Sequence, residues 1–248
     1  MKKVISLLLA TTFLVFALAS CGDKGDTTTG SLATTADTAT SGDATTGGTV
    51  VPAIKSNLTP GSIEFELVTS STDNMIAIKE LKENIKNLVI GDTYVDEKGA
   101  SYTVYSVGIG PGYKVCGEYN YSVESLVVMG GKTKKVEEGA FQLCTGLTAV
   151  SIGEGVESIG DIAFFGCSAI ESLELPSTLK TIGKTTFWGL KNLKELVIPA
   201  GVTEIGVEAF SNCTSLEKVT MPSRFNDEKT LKNIFLSQYK TIEFTFVD

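Results

Sequence analysis

The chain has 248 residues, enough for one folded domain with targeting and tether segments attached. Its 29 acidic residues outnumber 21 basic ones, for a net charge of −8, which argues against a nucleic-acid-binding surface. There is no histidine, so the commonest general base and zinc ligand are missing from any catalytic scheme.

Residues 1–20 have the pattern of a secretory signal: Lys2 and Lys3, then an apolar run broken only by Ser6, Thr11 and Thr12. The end of this run, Leu18-Ala19-Ser20-Cys21, resembles a bacterial lipobox. That resemblance implies cleavage before Cys21 and acyl chains on its sulfur, a bacterial envelope location at the outer membrane, and palmitate as a modifying group. The alternative is an ordinary secretory signal that ends near a cysteine. Residues 21–61 are rich in Thr, Gly, Ser, Ala and Asp and too poor in apolar side chains to offset the entropy of ordering. They read as a spacer; roughly 38 residues of coil have a root-mean-square span of about 35 Å. Asp26-Thr27-Thr28 and Asp37-Thr38-Ala39 resemble a short bacterial O-glycosylation motif, but for so short a motif plain low complexity is the better reading.

Residues 62–122 read as an N-terminal cap with imperfect first coils. Ile63, Phe65 and Leu67 alternate with Glu64 and Glu66, as in a strand. Ser71, Thr72 or Asp73 can cap a helix running to about Asn87, with Ile78, Leu81, Ile85 and Leu88 as its apolar stripe. Residues 88–90 and 101–107 read as strands around the turn Asp96-Glu97-Lys98-Gly99, and residues 108–121 as an irregular connection.

From residue 123 to 225 the chain repeats itself. Phe141, Phe164, Phe187 and Phe210 each lie 23 residues after the last. A fixed step of this size marks a solenoid. Other columns keep the step: Val136, Ile159, Ile182, Ile205; Leu147, Ile170, Leu193, Leu216; Val150, Leu173, Leu196, Val219; and Ile152, Leu175, Ile198, Met221. Small residues precede the Phe (Ala140, Ala163, Thr186, Ala209), and Cys144, Cys167, Leu190 and Cys213 follow three positions after it. Pro176, Pro199 and Pro222 end the strand-like segment, where a residue without an N–H is tolerated. Val127 and Met129 are expected to carry the buried columns backwards.

This pattern, L-x-x-(V/L)-x-(I/L)-P-x-x-(L/V)-x-x-I-G-x-x-A-F-x-x-C, resembles the BspA-type leucine-rich repeat of bacterial surface proteins. The clear copies are residues 147–169, 170–192 and 193–215; Leu190, Glu137 and Gly153 depart from it. The expected fold is α+β and mostly β: a short leucine-rich-repeat solenoid with an α/β N-terminal cap and a helix-strand C-terminal cap. That last cap, residues 226–248, is read from a helix begun by Asn226 or Asp227 and a strand alternating Ile242, Phe244 and Phe246.

No constellation supports catalysis. Gly131-Lys132-Thr133 lacks the earlier glycine of a phosphate loop. Gly108-x-Gly110-x-Gly112 lacks dinucleotide-loop spacing, and Asp92, Asp96 and Glu97 lack the longer acid pattern of a calcium loop. The ladder cysteines point in parallel and are expected as free thiols. No cofactor or metal is expected. The resemblance implies attachment, so the expected function is a lipid-anchored, surface-facing binding module for a protein or glycan partner, with no nucleic acid. The alternatives are a periplasm-facing envelope scaffold and an enzyme without histidine built around residues 108–121. Two surfaces are candidates for the partner. One is the outward ladders, Val128, Ser151, Glu174, Val197, Thr220 and Leu126, Ala149, Ser172, Glu195, Lys218. The other is the pair Phe165 and Trp188, which share the column Gln142, Phe165, Trp188, Ser211 and should lie side by side, either outward or folded onto the coil edge.

Overall fold

A computed structural model describes residues 56–68, 74–117 and 121–248. The signal, Cys21 and nearly all of the spacer lie outside these residues, as do the proposed helix caps Ser71, Thr72 and Asp73.

The N-terminal part contains β1 (Ile63–Leu67), β2 (Met75–Leu81), β3 (Asn87–Ile90), β4 (Thr93–Val95) and β5 (Ser101–Val107). The expected helix before Asn87 is replaced by β2. Its apolar spacing of three and four was a coincidence of Ile78, Leu81, Ile85 and Leu88. β2 carries an extra residue, Lys79, where it pairs with β1, and β5 carries an extra Tyr105 where it pairs with β2, so the buried residues of β2 run Ile76, Ala77, Ile78 and Leu81 instead of alternating. A bulge of this kind breaks the period-2 pattern that would have marked a strand. The cap is therefore built of strands. β1 lies antiparallel on β2, and β4 antiparallel on β5 through the turn where Asp96 Oδ1 accepts from the Lys98 and Ala100 amides at 2.9 and 2.8 Å. Glu64 on β1 accepts from Lys79 at 2.7 Å and from Lys82, which together hold its carboxyl down to about 2.

The repeats follow as pairs of strands. One long strand of each coil joins the ladder sheets: β6 (Ser125–Val128), β8 (Ala149–Ile152), β10 (Ser172–Glu174), β12 (Glu195–Val197) and β14 (Lys218–Pro222). Alternating with them are two-residue strands, β7 (Lys135–Val136), β9 (Ser158–Ile159), β11 (Thr181–Ile182) and β13 (Glu204–Ile205). The short strands extend the cap sheet in the order β1-β2-β5-β7-β9-β11-β13. The long strands form β3-β6-β8-β10 and, separately, β12-β14 with the last strand β15 (Glu243–Val247). Between the two sides the coils bury their columns, with only Leu175 and Ile205 half-buried, and the four Phe rings stack at 5.2, 5.4 and 5.1 Å. One coil cannot bury its own apolar face; stacking makes the columns continuous.

The backward projection of the columns fails by one residue. β6 pairs with β8 as Leu126 to Val150 and Val128 to Ile152, a 24-residue step, whereas Val136 still pairs with Ile159. The extra residue sits in the turn containing Gly130 and Gly131, both left-handed at φ 79° and 70°. Because side chains alternate along a strand, one residue of slip exchanges the faces. Leu126 and Val128 are buried, Val127 is half-buried and Met129 is exposed. Val128 is thus a core residue, and its candidacy for partner contact is withdrawn; Val127 holds the outward position.

Both ends of the ladder are closed. Asn57 acts as a stand-in strand on the outer edge of β3: its amide donates to Val89 O at 3.2 Å and its Oδ1 accepts from Val89 N at 2.8 Å. At the other end α1 (Glu228–Phe235) is capped by Asp227, whose side chain accepts from Thr230 N at 2.9 Å. Its Phe235 lies 5.8 Å from Phe210 and extends the ring stack, and β15 pairs in parallel with β14.

Candidate functional site

The outward ladder face is assembled from alternate residues of the long strands. Register brings Ser151 beside Glu174, Glu195 beside Lys218, and Val197 beside Thr220. Ser151 Oγ donates to Glu174 Oε2 at 2.8 Å. Lys218 Nζ lies 3.2 Å from Glu195 Oε1, and this hydrogen bond raises the lysine pKa. Glu174, Glu195 and Lys218 are exposed, Ser151 and Thr220 half-buried, and Val197 is 61% exposed. β15 extends the face by Glu243 beside Lys218 and Thr245 beside Thr220. Those two were missed, although the alternation of Ile242, Phe244 and Phe246 already placed them outward.

Phe165 and Trp188 do lie side by side, with centroids 4.7 Å apart and planes 9° from parallel. Both are half-buried, so each ring covers its neighbour and leaves part of itself to solvent. Gln142 in the same column is half-buried and Ser211 fully buried. Leu236, exposed, directly follows the ladder residue Phe235 and so takes the corresponding place in the final coil. It escaped notice because that coil steps 25 residues, not 23.

The reactive groups have structural employment. Cys116, Cys144, Cys167 and Cys213 are free and buried. Cys167 Sγ donates to Phe141 O at 3.1 Å, and Cys213 Sγ to Phe187 O at 3.3 Å. Burial pushes Cys213 up to about 12 and raises Cys167 as well. Cys144 is raised first by its hydrogen bond with Cys116 and then by burial. Thiols held protonated in this way are poor nucleophiles. Every carboxyl with a displaced pKa among the described residues (Glu64, Asp96, Glu154, Asp227) is displaced downward by hydrogen bonds, the wrong direction for a general acid. Lys132 N donates to Asp92 Oδ1 at 3.1 Å and Thr133 Oγ1 to Val104 O at 2.9 Å, so Gly131-Lys132-Thr133 is a coil turn. Among the described residues no group of three or more Cys, Asp or Glu is arranged to hold a metal ion. No helix among them is long and apolar enough to cross a membrane.

Residues 118–242 match a family described as the BspA type leucine rich repeat region, in six copies. Solved structures with the same architecture include proteins of three bacteria. A Treponema pallidum leucine-rich repeat protein is 20% identical with a TM-score of 0.55, covering 71% of this chain and 79% of its own, a likeness of fold. A leucine-rich cell surface protein of Faecalibacterium prausnitzii is 28% identical, TM-score 0.55, over 67% of this chain and 42% of its own. A leucine-rich repeat protein of Bacteroides ovatus is 29% identical, TM-score 0.53, over 66% of this chain and 40% of its own. The chain thus spans less than half the length of the last two. No curated protein matches the chain in sequence. Regions of this kind generally bind proteins and typically serve as scaffolds, not catalysts.

Proposed function

The chain belongs to the BspA-type leucine-rich repeat family, and from that premise we propose that it is a lipid-anchored, surface-facing module that binds a protein through its outward ladder. The observation that carries this reading is the ladder itself. Successive coils present Ser151, Glu174, Val197 and Thr220 in one line and Glu195 and Lys218 in the next, and among the described residues none is laid over the exposed Val197. An extended, uncovered strand face of this kind is the surface on which stacked repeats bind their partners. The Phe165–Trp188 stack supplies a second, rim anchor, since half-exposed aromatics bury much area at low entropic cost. Lipid on Cys21 and the spacer that follows it, up to the point where Asn57 joins the edge of β3, would hold the module away from the membrane. The surface placement is supported by the description of the F. prausnitzii relative as a cell surface protein.

The test is charge reversal. A pull-down with the full chain identifies the bound protein. Against it, the Glu174→Lys/Glu195→Lys double variant is expected to bind about tenfold more weakly or worse, because like charges replace paired ones across the contact. Both side chains are exposed, so the melting temperature should stay near that of the parent. Equal affinity of the two chains would remove the ladder from the interface.

A further inference from the structure

The two sides of the solenoid differ at one coil boundary. On the short-strand side the sheet passes unbroken from β9 to β11, with Thr181 paired to Ser158 and Ile182 to Ile159. On the ladder side the sheet stops at β10 and a new one begins at β12. At the neighbouring boundaries the strand entrance is bonded: Glu171 N donates to Thr148 O at 2.8 Å and Glu217 N to Lys194 O at 2.9 Å. No equivalent bond runs from the Lys194 amide to the Glu171 carbonyl, and β10 and β12 are not hydrogen-bonded neighbours in a sheet.

The sequence explains why the break falls here. The coil that carries Phe187 departs from a residue shared by the others at two core positions. Leu190 replaces the cysteine of Cys144, Cys167 and Cys213, and Thr186 replaces the alanine of Ala140, Ala163 and Ala209. Both Leu190 and Thr186 are fully buried. Cys167 and Cys213 each donate a thiol hydrogen bond to the Phe carbonyl of the coil before. Leu190, in the corresponding place over Phe164, is bulkier and has no donor. Thr186 Oγ1 bonds across to Gly160 O at 2.9 Å, so its extra volume also lies at this boundary. Close-packed interiors answer added volume with backbone shifts. The core is correspondingly thinner here: Leu173 is 8% exposed where Val150, Leu196 and Val219 are 2% or less. Leu175 is half-buried where Ile152, Ile198 and Met221 are buried. A groove of about 490 Å³ lined by Glu171, Asn192, Lys194 and Ser215 adjoins the break. Side-chain bonds tie Ser151 to Glu174 and Glu195 to Lys218, one on each side of it, and none joins β10 to β12 across it.

We propose that the boundary between the Phe164 and Phe187 coils is a hinge, created by Leu190 and Thr186. The two halves pivot on the β9–β11 pairing and the intact ring stack, opening and closing the ladder sheet between β10 and β12. The spacing of Glu174 and Val197, and with it the curvature of the outward face, is then adjustable at this one place. The proposal does not depend on what the face binds.

Hydrogen exchange on the full chain tests it. Amides of segments 171–175 and 194–198 should exchange on the order of 100-fold faster than those of β8 and β14, because local opening governs exchange. Thr186→Ala/Leu190→Cys, which restores the residues of the other coils, should slow them to the level of those strands. A second experiment separates motion from a fixed gap. In the Glu174→Cys/Val197→Cys variant, both a direct disulfide, formed with oxidised glutathione, and a longer bis-maleimide bridge should close in high yield. A disulfide tolerates a Cβ separation of only ~3.5–4.5 Å, so a rigid boundary would accept one bridge and not the other. Equal protection of all four segments in the parent chain, unchanged fast exchange in the restored variant, or closure of a single bridge would each overturn the proposal.

Discussion

Phe187→Ala is expected to lower stability by about 3–5 kcal/mol, the range for removing a buried aromatic ring. The ring is fully buried and lies between Phe164 at 5.4 Å and Phe210 at 5.1 Å, both nearly parallel to it. Its loss removes two aromatic pairs and leaves a gap in a one-dimensional stack. The gap cannot collapse cheaply. Phe164 N donates to Thr186 O at 2.9 Å and Phe187 N to Ala209 O at 2.8 Å, so the main chain fixes the spacing of the coils around the missing ring. Total stability of a domain is typically only ~5–15 kcal/mol, so the variant should melt far below the parent and, in a marginal background, fail to fold. Melting followed by circular dichroism measures this directly. A melting temperature unchanged by Phe187→Ala would take the ring out of the core.

Cys21→Ala is expected to abolish lipid attachment altogether. The lipobox-like run Leu18-Ala19-Ser20-Cys21 supplies one sulfur as acceptor, and alanine supplies none. Each buried acyl CH₂ contributes about 0.8 kcal/mol of membrane affinity, and stable anchoring needs more than one chain. Losing the sulfur therefore removes the entire anchor. Metabolic labelling with palmitate should mark the parent chain and leave the variant unmarked, as an uncleaved precursor or a protein without acyl chains. Label persisting in the Cys21→Ala chain would refute the assignment.

Much of the fold could be read from the columns. Four phenylalanines at one spacing located the ring stack, and period-2 alternation before each proline located the long strands. Reading failed where a single residue broke the count. The extra residue at the Gly130-Gly131 turn moved Val128 from solvent into the core, and the bulge at Lys79 disguised β2 as a helix. The 25-residue step to Phe235 concealed the last ring of the stack. The outward face was legible because strand alternation dictates it once the buried columns are known. The break between β10 and β12 was not. Leu190 is visible as a departure from its column, but its consequence is an unmade main-chain hydrogen bond, and side-chain columns carry no record of one.

The central claim is that the outward ladder, and not the short-strand side, meets the partner. Photo-cross-linking on intact cells tests it most directly, with a benzophenone amino acid placed at Val197 or Thr220 on the ladder and at Ser158 or Thr181 on the other side. A covalent adduct with one protein is expected from the ladder positions and none from the short-strand positions. Adducts arising only from Ser158 or Thr181, or from no position at all, would contradict it.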